Sequence, residues 1–282
     1  MILVFPAQPF EGAVVDYDFQ EQAKAATSAG FSVVTYNLEE GRLFARGHQG
    51  RALYRGWMMS PERYVAFYRQ LQEQGLELAT RPEEYRYAHW LPGWYSALEK
   101  WTPESVWFEG RDFDYERLVG AFGSGPLVVK DYVKSLKHYW GEACYIPEVG
   151  DEARVREVAS RFLELRDEEL QGGLVFRRFE LFRAWSEDPR SGFPMSVEFR
   201  VFAVAGVPMS VLPAWEGLEA AAPPSSLCEE LCARVSSPFF SLDLALNLGD
   251  DWRVVEVGDG QVSGLGGLVC SKGFYGSLAD AW

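Results

Sequence analysis

The sequence of 282 residues is poor in residues that hold transition metals, with 4 cysteines and 3 histidines. The cysteines are Cys144, Cys228, Cys232 and Cys270, and their spacing shows no two-plus-two pattern of the kind that binds zinc. This absence excludes a zinc-ribbon or disulfide-framework protein. We therefore expect reduced thiols and a cytoplasmic protein.

Long apolar segments and positive charge are also scarce. No segment reaches the length of a membrane span, and the apolar start at residues 1–6 lacks the basic region of a signal peptide. The net charge is −14, from 27 Lys and Arg against 41 Asp and Glu. This charge disfavours non-specific binding to nucleic acids or anionic membranes, although it permits a local basic site.

The usual nucleotide fingerprints are missing, since the chain has neither a G-x-G-x-x-G loop nor a P-loop. The apolar pattern nevertheless predicts a strand at 2–5, a helix at 17–29 and a strand at 31–36, which is the opening of a parallel α/β sheet. The segment AFGSGP at 121–126 interrupts the pattern. We therefore predict two domains, 1–122 and 123–282.

A predicted hairpin near the C-terminus carries two carboxylates. Residues 239–247 alternate as a strand does, 248–251 form a turn, and 252–257 form a second strand. Asp243 and Glu256 would lie close together and repel each other unless a cation lay between them. Mg²⁺ usually takes one or two carboxylates plus phosphate oxygens. A surface hairpin with solvated charges fits the same pattern equally well.

Positively charged residues accompany other predicted strands. Lys130 ends a strand at 127–130, and Arg200 lies in a strand at 196–205. A long strand predicted at 174–185 contains Arg177 and Arg178. Positive groups and a metal directed at phosphate oxygens are what phosphoryl transfer requires. Each lysine taken alone also fits a solvated surface charge, and His89, among aromatic residues, is typical of a hydrogen-bonded core histidine.

The order of these parts resembles the ATP-grasp superfamily. The resemblance rests on VVK at 128–130, FRRFEL at 176–181, EFRVF at 198–202 and the carboxylate hairpin. Within the superfamily, the chain is most similar to the clade named for an arginine and two lysines. That similarity is carried by LYRGWM at 53–58, PEEYRYAHWLPGWY at 82–95 and VEVGDGQVSGL at 255–265.

The resemblance implies an α/β (α+β) fold, with an N-terminal α/β pre-ATP-grasp domain before a two-subdomain ATP-grasp module of mixed and antiparallel sheets. It also implies an ATP site with Mg²⁺. The implied ATP-binding residues are Lys130, Lys134, Lys137, Arg178, Phe179, Glu180 and Arg200. The implied catalytic residues are Arg200, Lys130 and Glu256, and the implied metal ligands are Asp243, Glu256 and Asp259.

One departure affects the metal ligands. The common superfamily motif is Glu-x-Asn, whereas this chain has Gly258 at the third position, so Asp259 or Gln261 is expected to supply the missing ligand. We assign Arg55 and Gln261 to the second substrate. An arginine at a strand end before a glycine can hold a carboxylate or phosphate bidentately, and a structural ion pair is the alternative.

The implied reaction is ATP- and Mg²⁺-dependent ligation, in which a carboxylate becomes an acyl phosphate that an amine attacks. Peptide or amino-acid ligation is the expected type. A second hypothesis is a nucleic-acid end-joining ligase on the same ATP site, with aromatic rings stacking on bases and arginines holding phosphates. The residues it would use are Trp90, Trp94, Tyr95, Arg177, Arg178 and Arg183. A third hypothesis is a nucleotide-binding module without catalysis.

Overall fold

A parallel sheet forms from the first residues of the chain, because short apolar segments alternate with helices there. The computed structural model describes residues 1–45, 47–187, 194–265 and 271–282. The sheet has the order β3-β2-β1-β4-β5. Its strands are β1 (Ile2–Pro6), β2 (Ser32–Asn37), β3 (Arg42–Phe44), β4 (Gly50–Tyr54) and β5 (Leu76–Leu78). β2 and β4 both run parallel to β1, and the predicted α/β opening is confirmed.

Helices cover this sheet. α1 (Gln20–Ser28) connects β1 to β2, and α2 (Pro61–Glu73) begins after Ser60, the N-cap, whose side chain accepts a hydrogen bond from the Arg63 amide. Strand β4 ends at Tyr54. The chain turns at Gly56, where a Cβ would lie 2.6 Å from the Pro6 ring, so only glycine fits this close approach.

Contacts within the chain divide it into two units, each built from separate segments. The first unit contains 1–88, 199–243 and 257–282, and the second contains 89–198 and 244–256. Each unit combines segments that are separate in the sequence, so the units do not correspond to two consecutive domains. The predicted boundary after residue 122 therefore stays a prediction.

The remaining strands of the first unit belong to a sheet with the order β13-β12-β14-β15. These strands are β12 (Glu198–Val204), β13 (Val207–Pro213), β14 (Phe239–Leu246) and β15 (Trp252–Asp259), of which β12, β14 and β15 also contribute residues to the second unit. An apolar core joins Phe5, Phe202, Phe239 and Tyr275, and Tyr275 comes from α8 (Ser271–Ala281).

The second unit is built on a four-stranded sheet of order β6-β9-β7-β8, whose strands are β6 (Ser105–Glu109), β7 (Leu127–Asp131), β8 (Tyr145–Ile146) and β9 (Gly173–Arg178). Leu127, Val129 and Phe176 pack in an apolar core with two helices. The helices of this unit are α4 (Leu91–Leu98), α5 (Tyr115–Phe122) and α6 (Glu152–Arg166), while α3 (Pro82–His89) and α7 (Ser225–Cys232) lie largely or wholly in the first unit.

Two predicted elements differ from the structure. The strand predicted at 174–185 ends at Arg178, because its antiparallel neighbours β6 and β7 begin opposite Arg177 and Arg178 and offer no partners to the residues that follow. The chain then forms a separate antiparallel pair, β10 (Ala184–Glu187) with β11 (Pro194–Ser196). The second difference is β14, whose residues from Phe239 to Ala245 are buried on both faces of the sheet, so the alternative of a surface hairpin with solvated charges is wrong.

Among the described residues, no helix is long and apolar enough to cross a membrane. Cys144, Cys228 and Cys232 are buried free thiols, which confirms the predicted reduced state for these three. Burial raises the pKa of the Cys232 thiol to about 12, so it is unreactive at neutral pH. Cys270 lies outside the described residues.

Removing the Phe162 ring tests the core of the second unit. Phe162 is fully buried, so Phe162→Ala should lower the free energy of unfolding by about 3–5 kcal/mol through lost burial and a residual cavity. Leu248→Ala, in the same unit but 62% exposed, should change it by less than about 0.5 kcal/mol. Equal denaturant midpoints for the two variants would show that Phe162 does not support this core.

Candidate active site

One face of the second unit's sheet carries buried and partly buried charges. Residues opposite each other on antiparallel strands point to the same side, and the pairs Val128–Arg177 and Lys130–Val175 place Lys130 and Arg177 on one face. The other face holds the apolar core. Alternation along β7 therefore turns Lys130 away from the core, as the sequence predicts for a lysine at a strand end.

Burial lowers the pKa of Lys130, and the nearby Glu256 carboxylate opposes this shift. Both side chains are partly buried, and both belong to the second unit. Among the other predicted lysines, Lys134 is exposed in the turn after β7, and Lys137 is exposed at the start of a short helical turn. The structure thus brings Lys130 and Glu256 into electrostatic contact, two of the residues that the sequence analysis assigns to catalysis.

Arg177 is a further member of this cluster, and it is 8% exposed. Its Nη1 donates to the Val255 carbonyl at 2.6 Å, and its Nη2 donates to the Val254 carbonyl at 3.0 Å and to the Thr102 hydroxyl. Burial lowers its pKa to about 10, and Glu256 is the strongest of the carboxylates that oppose the shift. Arg177 therefore remains a cation at neutral pH.

His89 lies beside the same charges and is 3% exposed. Its pKa is lowered to about 4, chiefly by burial, with Glu256 opposing the shift and Lys134 and Lys130 adding to it. The ring is therefore neutral at pH 7. Its burial agrees with the core position expected from the sequence, although its neighbourhood to Glu256 could not be predicted from the aromatic residues around it.

The predicted hinge residues Arg178, Phe179 and Glu180 contact three different parts of the second unit. Arg178 donates to the carbonyls of Phe122, at 2.7 Å, and Ser124. Glu180 accepts two hydrogen bonds from Arg253, both at 3.0 Å. The side chains of Arg178 and Glu180 therefore have structural partners within their own unit.

Phe179 belongs to an aromatic cluster. Its ring centroid lies 5.1 Å from that of Tyr145 and 5.7 Å from that of Trp140, and the last two rings stack at 18°. Such rings provide a flat apolar surface with the electron-rich faces that purine rings pack against. The cluster lies where the chain leaves β9.

In the first unit, Arg200 and Asp243 form a bidentate ion pair. Arg200 Nε donates to Asp243 Oδ1 at 2.7 Å, and Nη2 donates to Oδ2 at 2.6 Å. The remaining Nη1 donates to the Gly264 carbonyl at 2.9 Å. Asp243 is 4% exposed on the central strand β14, so the cation that its buried charge requires is Arg200 in this structure. Asp243 and Glu256 belong to different units.

Asp259 and Gln261 are fully buried in the first unit. Asp259 Oδ1 accepts from the backbone amide and the side-chain amide of Gln261, both at 3.0 Å. Gln261 also donates to the Tyr64 hydroxyl at 2.8 Å and accepts from the Tyr54 amide at 3.1 Å. These bonds attach the loop after β15 to β4 and α2. The metal and substrate roles of the two residues stay predictions.

Arg55 is 1% exposed. Its Nη1 donates to the carbonyls of Gly260 and Ser263, the latter at 3.0 Å, and its Nη2 donates to Gln22 Oε1 at 3.2 Å. The expected structural alternative was an ion pair, but its direct hydrogen-bond partners are carbonyl oxygens. A Cβ at Gly260 would lie 2.7 Å from the Phe239 ring, so packing against this ring requires a glycine.

The donor set has consequences for a metal. Among the described residues, no group of three or more His, Cys, Asp and Glu side chains lies close enough to form a metal cage. Mg²⁺ bound with a nucleotide needs one or two carboxylates, because phosphate oxygens and water complete its octahedral shell. A partly buried carboxylate such as Glu256, next to a lysine that could bind phosphate, fits Mg²⁺ held in this way.

The side chains that would serve nucleic-acid binding are largely used by the fold. Trp94 is 2% exposed and Tyr95 is 7% exposed, so neither ring can stack on a base. Arg177 and Arg178 donate to backbone carbonyls, and Arg183 pairs with Asp250.

The fold is that of known ATP-grasp enzymes. One similar structure, the RimK domain protein ATP-grasp from Sphaerobacter thermophilus DSM 20745, has 15% identity and a TM-score of 0.65, with 99% of this chain and 98% of that chain covered. D-cycloserine synthetase DcsG has 14% identity and a TM-score of 0.63, with 99% of each chain covered. D-alanine–D-alanine ligase from Bacillus anthracis, complexed with ATP, has 14% identity and a TM-score of 0.57, with 99% and 94% covered. These likenesses define the fold class.

Residues 119–278 match a family of ATP-grasp domains, family 3 of the clade named for an arginine and two lysines. This match covers more than half of the chain, which therefore belongs to that family and, with it, to the ATP-dependent ligases. The recognition and the fold expected from the sequence are confirmed. No curated protein matches the chain in sequence.

The buried carboxyl of Asp259 predicts a pH-dependent stability. Burial raises its pKa from 3.8 to about 7, against the hydrogen bonds from Gln261. The folded state then binds the proton more tightly than the unfolded state, so this group's stabilising contribution is complete below pH 4 and is lost as the pH rises to 7. Asp259→Asn removes the ionisable group and with it this pH dependence. The free energy of unfolding of the variant minus that of wild type should therefore rise between pH 4 and pH 7, by about a few kcal/mol at most.

Urea unfolding at a series of pH values measures this difference. Asp280→Asn is the control, because Asp280 is exposed on α8 of the same unit. Parallel pH profiles for wild type and Asp259→Asn would contradict a carboxyl that is hard to ionise at this position.

Proposed function

We propose that the chain joins a carboxylate to an amine, using ATP and Mg²⁺ to convert the carboxylate into an acyl phosphate. The observation that carries the proposal is the cluster of Lys130, Arg177 and Glu256 on the partly buried, charged face of the second unit's sheet, in a chain of the ATP-grasp family. Lys130 supplies a cation for phosphate oxygens, Glu256 supplies a carboxylate for their Mg²⁺, and Arg177 adds positive charge beside them.

Phosphate binding is assigned first to Lys130. Lys134 and Lys137 follow within eight residues, which concentrates positive charge locally in a chain of net charge −14. Such a basic site within an acidic surface attracts a polyphosphate while the remaining surface repels other polyanions.

The adenine base is assigned to the aromatic cluster of Phe179, Trp140 and Tyr145. The cluster and the Lys130 face belong to the same sheet region of the second unit, since Phe179 directly follows β9. Arg178 and Glu180 support this segment through their contacts with Phe122 and Arg253. Their proposed role is therefore to shape the base site through the backbone.

In the second unit, metal binding is assigned to Glu256, with phosphate oxygens completing the Mg²⁺ shell, and the metal role of Asp243 in the first unit is a separate proposal. When bound, Mg²⁺ would neutralise charge on the phosphates during transfer. Arg200 is held by Asp243 and by the Gly264 carbonyl, so its guanidinium is oriented before any ligand arrives. We assign it to the charge that develops on the transferred phosphoryl group, where a fixed cation costs no reorganisation.

Arg55, Gln261 and Asp259 receive a supporting role. Their buried hydrogen bonds shape the loop at 259–264, whose Gly264 carbonyl orients Arg200. We propose that they act on the second substrate through this loop.

An amino acid or a peptide is the second substrate we propose. Two similar structures are a D-alanine–D-alanine ligase and a D-cycloserine synthetase, and a third, the ATP-grasp ligase PsnB, is complexed with a minimal precursor, Mg and ADP. The PsnB structure has 12% identity and a TM-score of 0.57, so it supports a common fold and not a shared substrate.

Trapping with hydroxylamine tests the reaction type without knowledge of the amine. The chain, ATP and Mg²⁺ are incubated with a panel of free and N-blocked amino acids and peptides, and hydroxamates and nucleotides are quantified. An acyl phosphate gives equal amounts of hydroxamate and ADP with one class of carboxylate. Formation of AMP and pyrophosphate would instead support nucleotidyl transfer and contradict the proposal.

Removing the charge of Glu256 should abolish turnover. Glu256→Gln keeps the side-chain shape but removes a metal ligand, so ADP release should fall by about 10²-fold or more. The circular dichroism spectrum should be unchanged, because losing this charge lowers the free energy of unfolding without altering an apolar core. Glu21→Gln is the matched control, since Glu21 is exposed and pairs with Lys24 on α1. Turnover at the wild-type rate in Glu256→Gln would remove Glu256 from the site.

Removing the ammonium group of Lys130 should weaken nucleotide binding. We expect Lys130→Ala to raise the Kd for ATP by about tenfold or more, because a charge-assisted contact to phosphate is worth roughly 1.5–3 kcal/mol. Lys24→Ala, at an exposed position, is the control. Isothermal titration calorimetry measures both, and equal ATP affinities in wild type and Lys130→Ala would exclude Lys130 as a phosphate ligand.

A further inference from the structure

Strand β15 is held by side chains directly before Glu256. The Val254 carbonyl accepts from the Thr102 hydroxyl at 2.7 Å and from Arg177 at 3.0 Å, and the Val255 carbonyl accepts from Arg177 at 2.6 Å. Thr102 itself accepts a hydrogen bond from Arg177. We call Arg177 and Thr102 the β15 clamp.

The position of β15 explains why a clamp is needed. Among the described strands, β15 is the last in the order β13-β12-β14-β15, so the carbonyls along its outer edge have no neighbouring strand to bind them. Val254 is fully buried, which also limits hydration of its carbonyl. Buried carbonyls need donors, and the planar guanidinium fork of Arg177 supplies two of them in a fixed geometry.

Arg253, the residue of β15 directly before the two carbonyls that the clamp binds, is fixed as well. Arg253 pairs with Glu180 through two hydrogen bonds of 3.0 Å, and its Nη1 donates to the Lys100 carbonyl at 3.1 Å. Three consecutive residues, 253–255, are therefore bound to other parts of the second unit. Glu256 is the next residue, and its direction from the backbone follows from theirs.

We propose that Arg177 and Thr102 are positioning residues, which hold the backbone at Val254 and Val255 so that the Glu256 carboxylate faces the Mg²⁺–nucleotide complex beside Lys130. This inference rests on the proposed function. Arg177 is not assigned to phosphate, because Nη1 and Nη2 both already donate to backbone carbonyls. Its effect on the metal is transmitted through the strand.

Arg177→Lys and Thr102→Val separate positioning from charge. Lysine keeps the positive charge, but a single ammonium group cannot reproduce the fork that holds two carbonyls. Valine has nearly the shape of threonine and removes only the hydroxyl. Arg111→Lys is the matched control, because Arg111 also donates to two backbone carbonyls of the same unit, those of Leu163 at 3.0 Å and Asp167 at 3.2 Å.

Two measurements are made on the full chain. Calorimetry gives the Kd of a non-hydrolysable ATP analogue with Mg²⁺ and with EDTA, and the ratio of the two values reports the Mg²⁺-dependent gain. We expect Arg177→Lys to reduce this gain about tenfold, the usual cost of losing a residue that orients a metal ligand, while the Kd in EDTA stays within about threefold of wild type. Thr102→Val should act in the same direction and less strongly, and Arg111→Lys should leave the gain unchanged.

Hydrogen exchange of the ligand-free protein tests the clamp independently of ATP. Amides of 253–257 should exchange faster in Arg177→Lys and Thr102→Val than in wild type and Arg111→Lys. If Arg177→Lys does not fold, Thr102→Val tests the proposal by the same two measurements, the Mg²⁺-dependent gain in affinity and the exchange of the 253–257 amides.

If Arg177→Lys raised the Kd of the ATP analogue by the same factor with Mg²⁺ and with EDTA, Arg177 would be a phosphate ligand and the proposal would be overturned. Unchanged exchange at 253–257 would overturn it as well, since the strand would not depend on the clamp. If the amides of 253–257 exchanged faster in the variants but the Mg²⁺-dependent gain in affinity stayed at the wild-type value, the clamp would be purely structural. This result would also overturn the positioning role. A wild-type protein with no Mg²⁺-dependent gain would refute the proposed function and the positioning role, even if exchange shows that the clamp exists.

Discussion

Placing cations on a partly buried sheet face is the constraint on which the second unit depends. Lys130 and Arg177 both lose hydration there, which lowers their pKa values, and Glu256 is the strongest opposing charge for each. Removing a carboxylate from such a site leaves uncompensated buried positive charge, which is costly to stability. The same arrangement also presents positive charge where a polyphosphate could bind. Stability without a ligand and affinity for one therefore depend on the same three side chains.

The first unit solves its charge problem differently. Asp243 is matched directly by Arg200 in a bidentate pair, and Arg55 is surrounded by carbonyl oxygens and by the rings of Phe202 and Phe274 at 5.9 and 5.3 Å. A paired guanidinium is fixed in direction, whereas a lysine on a flexible stem can follow its ligand. This difference suits Arg200 to a fixed transition-state contact and Lys130 to initial capture of ATP.

Much of the fold could be predicted from local pattern. The parallel opening, the Ser60 cap and the strands that carry Lys130, Arg200 and Asp243 follow from apolar periodicity and turn residues. Partners distant in sequence could not be predicted. Arg55 binds carbonyls about 205 positions away and Arg177 binds carbonyls 77 and 78 positions away, and backbone carbonyls leave no trace in residue type. For the same reason the burial of β14 on both faces could not be predicted, since it depends on side chains distant in sequence that pack against those faces.

The central claim is that a carboxylate oxygen attacks the γ-phosphorus of ATP, ADP leaves, and phosphate departs when the amine attacks the acyl carbon. The most direct measurement uses the carboxylate identified by trapping, labelled with ¹⁸O in both oxygens, and mass spectrometry of the phosphate released in the presence of the amine. For each amide bond formed, the account predicts one inorganic phosphate that carries one ¹⁸O atom. Label in AMP, or phosphate without ¹⁸O, would contradict it.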